Sequence, residues 1–153
     1  VIAGISADTF YNCDTLEKIT IPASITEIGE SAFFDCDNLK EFAVAEDSET
    51  YYAQDGVLFR KKDDCLMAYP PALPATSYTV PDGVKELYYA AFAKCTNLQE
   101  IQLPDGLQYI DDWVFAYDTL SSISIPDSVV EICDSGTDFS VVTEVLTAIA
   151  EVV

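Results

Sequence analysis

Any chemistry in this chain has to come from carboxylates, thiols and aromatic rings. Its 153 residues include 27 Asp and Glu, five Cys and no His. Without imidazole there is no Ser–His–Asp or Cys–His arrangement, and no side chain whose ordinary titration falls near neutral pH. No GxSxG or phosphate-cradling glycine loop occurs either. Carboxylate pairs exist at Asp63-Asp64 and Asp111-Asp112, but a pair that hydrolyses glycosides works across a cleft. Asp134-x-Gly-x-Asp138 opens like a calcium loop, yet Phe139 and Val145 stand where an EF-hand needs Gly and a bidentate Glu. The cysteines show no CxxC spacing, so a zinc site is unsupported. The chain is read as a non-enzyme with no cofactor and no metal.

The elements that would position these groups are set by a repeat. Phe10, Cys13, Leu16, Ile19 and Ile21 return 23 residues later as Phe33, Cys36, Leu39, Phe42 and Val44. They return again as Phe92, Cys95, Leu98, Ile101 and Leu103, and then as Phe115, Leu120, Ile123 and Ile125, one residue shorter. A fixed period of this size marks a solenoid, whose units bury their apolar face by stacking on the next. Within a unit, Leu16 to Ile21 ends in strand alternation and Pro22 stops it. Ser24 to Ile28 is a second extended piece, and Gly29 permits a bend. Ala32, Phe33 and Cys36 are spaced to share one side of a short helical turn. Stacking would set Cys13 and Cys36 about 5 Å apart. A bridge is then conceivable, but a small buried corner residue is the plainer role.

The period breaks between residues 46 and 78. Gly56 to Phe59 and Cys65 to Tyr69 read as a β-hairpin whose tip carries Arg60, Lys61 and Lys62. This is taken as an irregular rung inside a solenoid covering 1–132. Residues 133–153 are expected to cap it: Phe139, Val142, Val145, Leu146, Ile149, Val152 and Val153 follow helical spacing.

The string Leu16-x-x-Ile19-x-Ile21-Pro22-x-x-Ile25-x-x-Ile28-Gly29-x-x-Ala32-Phe33-x-x-Cys36 closely resembles the BspA-like leucine-rich repeat, the bacterial 23-residue class. The resemblance covers roughly residues 1–132. It implies an α/β repeat solenoid, right-handed and curved, with short strands and short helical turns. It further implies secreted or surface-attached bacterial proteins that act in adhesion or host binding. It brings no catalytic residues. Val1 falls inside a repeat, since Ile2 and Ile5 match Ile25 and Ile28, so the chain is expected to be a piece of a longer protein.

Once the repeat assigns Phe, Cys, Leu and Ile to the core, informative residues are those that depart from it. Tyr88 and Tyr89 replace Gly29 and Glu30, Tyr109 replaces Glu27 and Glu86, Trp113 replaces Ser31, and Tyr117 replaces Asp35 and Lys94. Aromatics at outward positions offer large contact area at low entropy cost, which suits a binding patch. The strand face bearing Lys18, Thr20, Glu41, Ala43, Glu100, Gln102, Ser122 and Ser124 reads as solvated. Net charge is −20, and all seven bases lie at or before Lys94. Such a surface repels phosphate backbones and anionic membranes, and no apolar run approaches the ~18–20 residues of a membrane span. The acidity serves solubility or a basic partner. The function expected is therefore protein binding or adhesion at the cell surface or outside the cell, with a host or extracellular-matrix protein as partner. A carbohydrate-binding accessory module, with a glycan stacked on the same rings, and a structural spacer are the alternatives.

Overall fold

The structure, a computed structural model, describes residues 1–133. The predicted capping helix lies outside them. Twelve short strands follow one another: β1 (Gly4–Ile5), β2 (Lys18–Ile21), β3 (Glu27–Ile28), β4 (Glu41–Val44), β5 (Tyr51–Gln54), β6 (Val57–Arg60), β7 (Cys65–Ala68), β8 (Ser77–Thr79), β9 (Glu86–Leu87), β10 (Glu100–Gln102), β11 (Tyr109–Ile110) and β12 (Glu131–Ile132).

The repeat becomes register. β2 pairs in parallel with β4, matching Lys18 to Glu41 and Ile21 to Val44. β8 pairs in the same way with β10, matching Ser77 to Glu100. These pairs form one column. A second column stacks β1 on β3 and β7, β9, β11 and β12 on one another, all in parallel. Alternation decides which side is core. In β2, Lys18 and Thr20 are exposed while Ile19 and Ile21 are buried. The predicted outward residues of the first column are exposed, apart from half-buried Ala43.

The expected helical turns are not there: the described residues contain no helix. Each turn segment is a run of β-turns interrupted twice by left-handed residues four apart. These are Asp8 and Asn12, Ser31 and Asp35, Ala90 and Lys94, and Trp113 and Tyr117, all with φ between 57° and 62° except Ala90 at 55°. A right-handed helix cannot pass such residues. The alternate amides bond between rungs instead. Phe10 and Asn12 N–H donate to the Ala32 and Phe34 carbonyls at 2.8 and 3.0 Å. Ala90, Phe92 and Lys94 N–H donate to the Asp112, Val114 and Ala116 carbonyls at 3.0, 3.0 and 2.8 Å. Backbone groups that a helix would satisfy internally are thus satisfied by stacking. Phe10 on Phe33 and Phe92 on Phe115 stack along the same column, with centroids 5.8 and 6.0 Å apart. Gly29 is required by this closeness, because a Cβ there would lie 2.4 Å from the Ala7 amide nitrogen.

The irregular rung is a three-stranded meander rather than the predicted two-stranded hairpin. β5 and β6 pair antiparallel across Asp55-Gly56, with φ of 53° and 80°, the positive-φ pair that tight hairpins favour. β6 then pairs antiparallel with β7. β7 rejoins the parallel column through Cys65 opposite Glu86. The meander divides the core. Leu58, Cys65 and Met67 pack with Ile21, Leu39 and Phe42, whereas Val57, Phe59 and Leu66 pack with Leu87, Phe92 and Leu107. Cys36, Cys65 and Cys95 are free thiols buried in the core, Cys13 is free and half-buried, and Cys133 is half-buried. Burial raises the Cys36, Cys65 and Cys95 thiol pKa values above their ordinary range.

Candidate functional site

The five aromatic candidates separate into two groups. Tyr88 and Tyr89 line a narrow cavity of about 50 Å³ between the second rung and the rungs beyond the meander, with Phe33, Phe34 and Pro71. Tyr88 is fixed there: its hydroxyl donates to the Ile28 carbonyl at 3.2 Å, and the Arg60 guanidinium carbon lies 5.2 Å from its ring centroid. Burial, then nearby Glu30, raises its phenol pKa. Arg60 is itself held by Asp63, with Nε to Oδ1 at 2.9 Å and an outer nitrogen to Oδ2 at 2.6 Å. That contact holds the Asp63 carboxyl below its usual range. Lys61 Nζ donates to the Ser48 carbonyl at 2.6 Å. Most of the basic hairpin tip is thus spent on internal contacts, with only Lys62 outside them. Across the same cavity Lys94 Nζ reaches Asp35 at 2.5 Å and Asp37 at 3.0 Å, joining rungs far apart in sequence.

Tyr109, Trp113 and Tyr117 belong to a later, more open region. Tyr117 is 64% exposed and Tyr109 43%. Trp113 is half-buried, and its ring lies 6.2 Å from that of Tyr117 at an interplanar angle of 34°. Both Trp113 and Tyr117 occupy left-handed backbone positions, at φ 62° and 59°. Other rungs place Asp, Asn, Ser, Ala or Lys there. For bulky aromatics such a conformation is an outlier. Strain of about 1–3 kcal/mol per residue persists only where surrounding structure imposes it, and it gathers at functional sites.

Carboxylates surround this region; the sequence pointed to Asp111 and Asp112 as a pair but not to Glu86 and Glu131. Tyr109 lies in register between Glu86 on β9 and Glu131 on β12. Burial, then the neighbouring Asp63 charge, raises the Glu86 carboxyl pKa. One ligand atom each from Asp111, Asp112 and Cys133 falls within 4.8 Å of the others. Two hard oxygens and one soft sulfur suit no single metal class well. Asp118 occupies the position held by Cys13, Cys36 and Cys95 elsewhere. Its Oδ1 accepts the Cys95 amide at 2.9 Å, while its Oδ2 is buried with no hydrogen-bond partner among the described residues. Burial pushes its pKa up to about 7. The repeat alignment marks Asp118 as the one lost Cys, and that was the available signal.

Comparison with known proteins fits this geometry. The profile of the BspA type leucine rich repeat region matches six copies over residues 2–54 and 71–142. A leucine-rich repeat protein from Eubacterium ventriosum is similar at 30% identity and a TM-score of 0.71, over 76% of this chain and 32% of that one. The pneumococcal vaccine antigen PcpA is similar at 29% and 0.68, over 86% and 38%. A leucine rich cell surface protein from Faecalibacterium prausnitzii is similar at 27% and 0.68, over 89% and 42%. The chain thus spans less than half the length of these solved relatives. No curated protein matches it.

Proposed function

Because the chain belongs to the BspA type leucine-rich repeat family, we propose that it is a non-enzymatic protein-interaction module of a bacterial surface or secreted protein, binding through the Tyr109–Trp113–Tyr117 edge. The family supplies a stacked scaffold with extended faces. One similar protein is a cell surface protein and another a vaccine antigen, which supports a place outside the cell. The observation that carries the proposal is the left-handed backbone at Trp113 and Tyr117. Asn12 fills the Tyr117 position in the first rung, and Asn tolerates that conformation better. Two large rings at strained positions, Tyr117 exposed and Trp113 half-buried, work against stability and favour contact with something else.

The test is the double substitution Trp113→Asn/Tyr117→Asn, compared with the parent chain in pull-downs from host-cell surface and matrix extracts. The variant should melt no lower than the parent and should lose the retained protein. Retention of the same proteins by the variant would remove the edge from the proposal. Quenching of Trp113 fluorescence by neutral glycans, with no protein retained, would replace protein binding with sugar binding.

A further inference from the structure

The column Glu86–Tyr109–Glu131 combines an exposed ring with two carboxylates at the same register position on adjacent strands. Neighbouring strands place them about 4.8 Å to either side of the tyrosine. Asp111 and Asp112 follow two and three residues after it. None of these four carboxylates has an ion-pair partner among the described residues.

Most of the chain's own bases are already engaged elsewhere. Lys18, Lys40, Arg60, Lys85 and Lys94 are paired with Glu41, Glu17, Asp63, Asp64 and the Asp35–Asp37 pair. Lys61 is held on a carbonyl. Residues 95–153 contain eleven carboxylates and no base. Lys62 is held by no such contact, and its charge and that of Arg60 act on Glu86. No base pairs with Glu131, Asp111 or Asp112 among the described residues, so a partner can supply their counter-charge.

We propose that the Glu86–Tyr109–Glu131 column is a docking site for an arginine side chain of a partner protein. A planar guanidinium can lie on the tyrosine ring and direct its N–H groups to the carboxylates beside it. Its fork matches carboxylate geometry, whereas a lysine ammonium meets the same site only as a point charge. This inference rests on the protein-binding reading and names the chemistry of the partner.

The experiment titrates the chain with octa-arginine and octa-lysine by calorimetry, and compares Tyr109→Leu, Glu131→Gln and the remote, exposed Glu46→Gln. Octa-arginine should bind more tightly than octa-lysine. Tyr109→Leu and Glu131→Gln should each weaken octa-arginine by about three- to fivefold, the range of an exposed cation–π contact. Glu46→Gln should change it by less than about twofold, as one distant charge among many is screened. Equal weakening by Glu46→Gln, or no effect of Tyr109→Leu, overturns the inference and leaves only diffuse attraction to an acidic surface. The two readings fail separately. If octa-arginine binds as expected while Trp113→Asn/Tyr117→Asn retains every pulled-down protein, the arginine site stands and the aromatic-edge reading falls. If the pull-down is lost in that variant but Tyr109→Leu leaves octa-arginine untouched, the edge stands and the arginine site falls.

Discussion

Asp118 gives the sharpest quantitative test of the repeat. Its carboxyl takes a position that other rungs give to Cys, and burial raises its pKa from 3.8 to about 7. The folded chain therefore holds this proton more tightly than the unfolded chain. The resulting stability is complete below pH 3.8 and declines as pH rises through about 7. Integrated between about pH 5 and about pH 8, the loss is roughly 2–3 kcal/mol. Asp118→Asn keeps an acceptor for the Cys95 amide and removes the titration. Asp118→Cys restores the repeat, and the Cys95 amide still has the Phe92 carbonyl at 3.2 Å. Urea unfolding of all three proteins, at both pH values and under reducing conditions, isolates the effect. Groups common to all three, Glu86 among them, cancel in the difference. The parent should lose about 2–3 kcal/mol more than either variant on going from the lower to the higher pH. Parallel pH dependence in all three proteins would show that the carboxyl titrates as if solvated, and the reasoning from burial would be refuted.

Two further outcomes follow from the packing. Gly29→Ala should destabilise the first two rungs by more than about 2 kcal/mol, since overpacking against backbone leaves nothing flexible to move; amide hydrogen exchange should show protection falling at Phe10 and Asn12 before it falls near Phe92. With a thiolate-selective reagent at neutral pH, Cys36, Cys65 and Cys95 should react only on unfolding, because burial both shields them and raises their pKa values; prompt labelling of Cys95 in the native chain would contradict the packed column.

Much of this architecture was legible in the sequence because strands and stacking follow local alternation and a fixed period. The Lys18-Ile-Thr-Ile21 alternation and Pro22 bounded β2 correctly, and the 23-residue spacing became the pairing of Lys18 with Glu41. The turn segments were misread because Ala32, Phe33 and Cys36 satisfy helical spacing as well. What decides between the two is whether Phe10 N–H bonds within its own turn or to Ala32 on the next rung, which local spacing does not contain. A usable cue existed: Asp8, Asn12 and Asp35 are residue types that tolerate positive φ. β5 was missed although Asp55-Gly56 is a hairpin turn by composition. Aligning repeats placed Trp113 and Tyr117 at the right positions, but neither residue type announces a left-handed backbone. Glu131 escaped notice because the last repeat is one residue short, so that Tyr109 meets it only after the register is shifted.

The meander that divides the core also has a mechanical meaning. In an array of identical rungs, peeling one rung exposes the next to the same load, so a tear runs from end to end. Here β6 and β7 present apolar side chains to both sides and extend the β9–β11–β12 ladder with antiparallel pairs. A tear entering from β1 meets a wall whose far face is still supported by Phe92 and Leu107. The irregular rung thus stands as a bulkhead between two separately packed cores, so that loss of the first need not carry away the second.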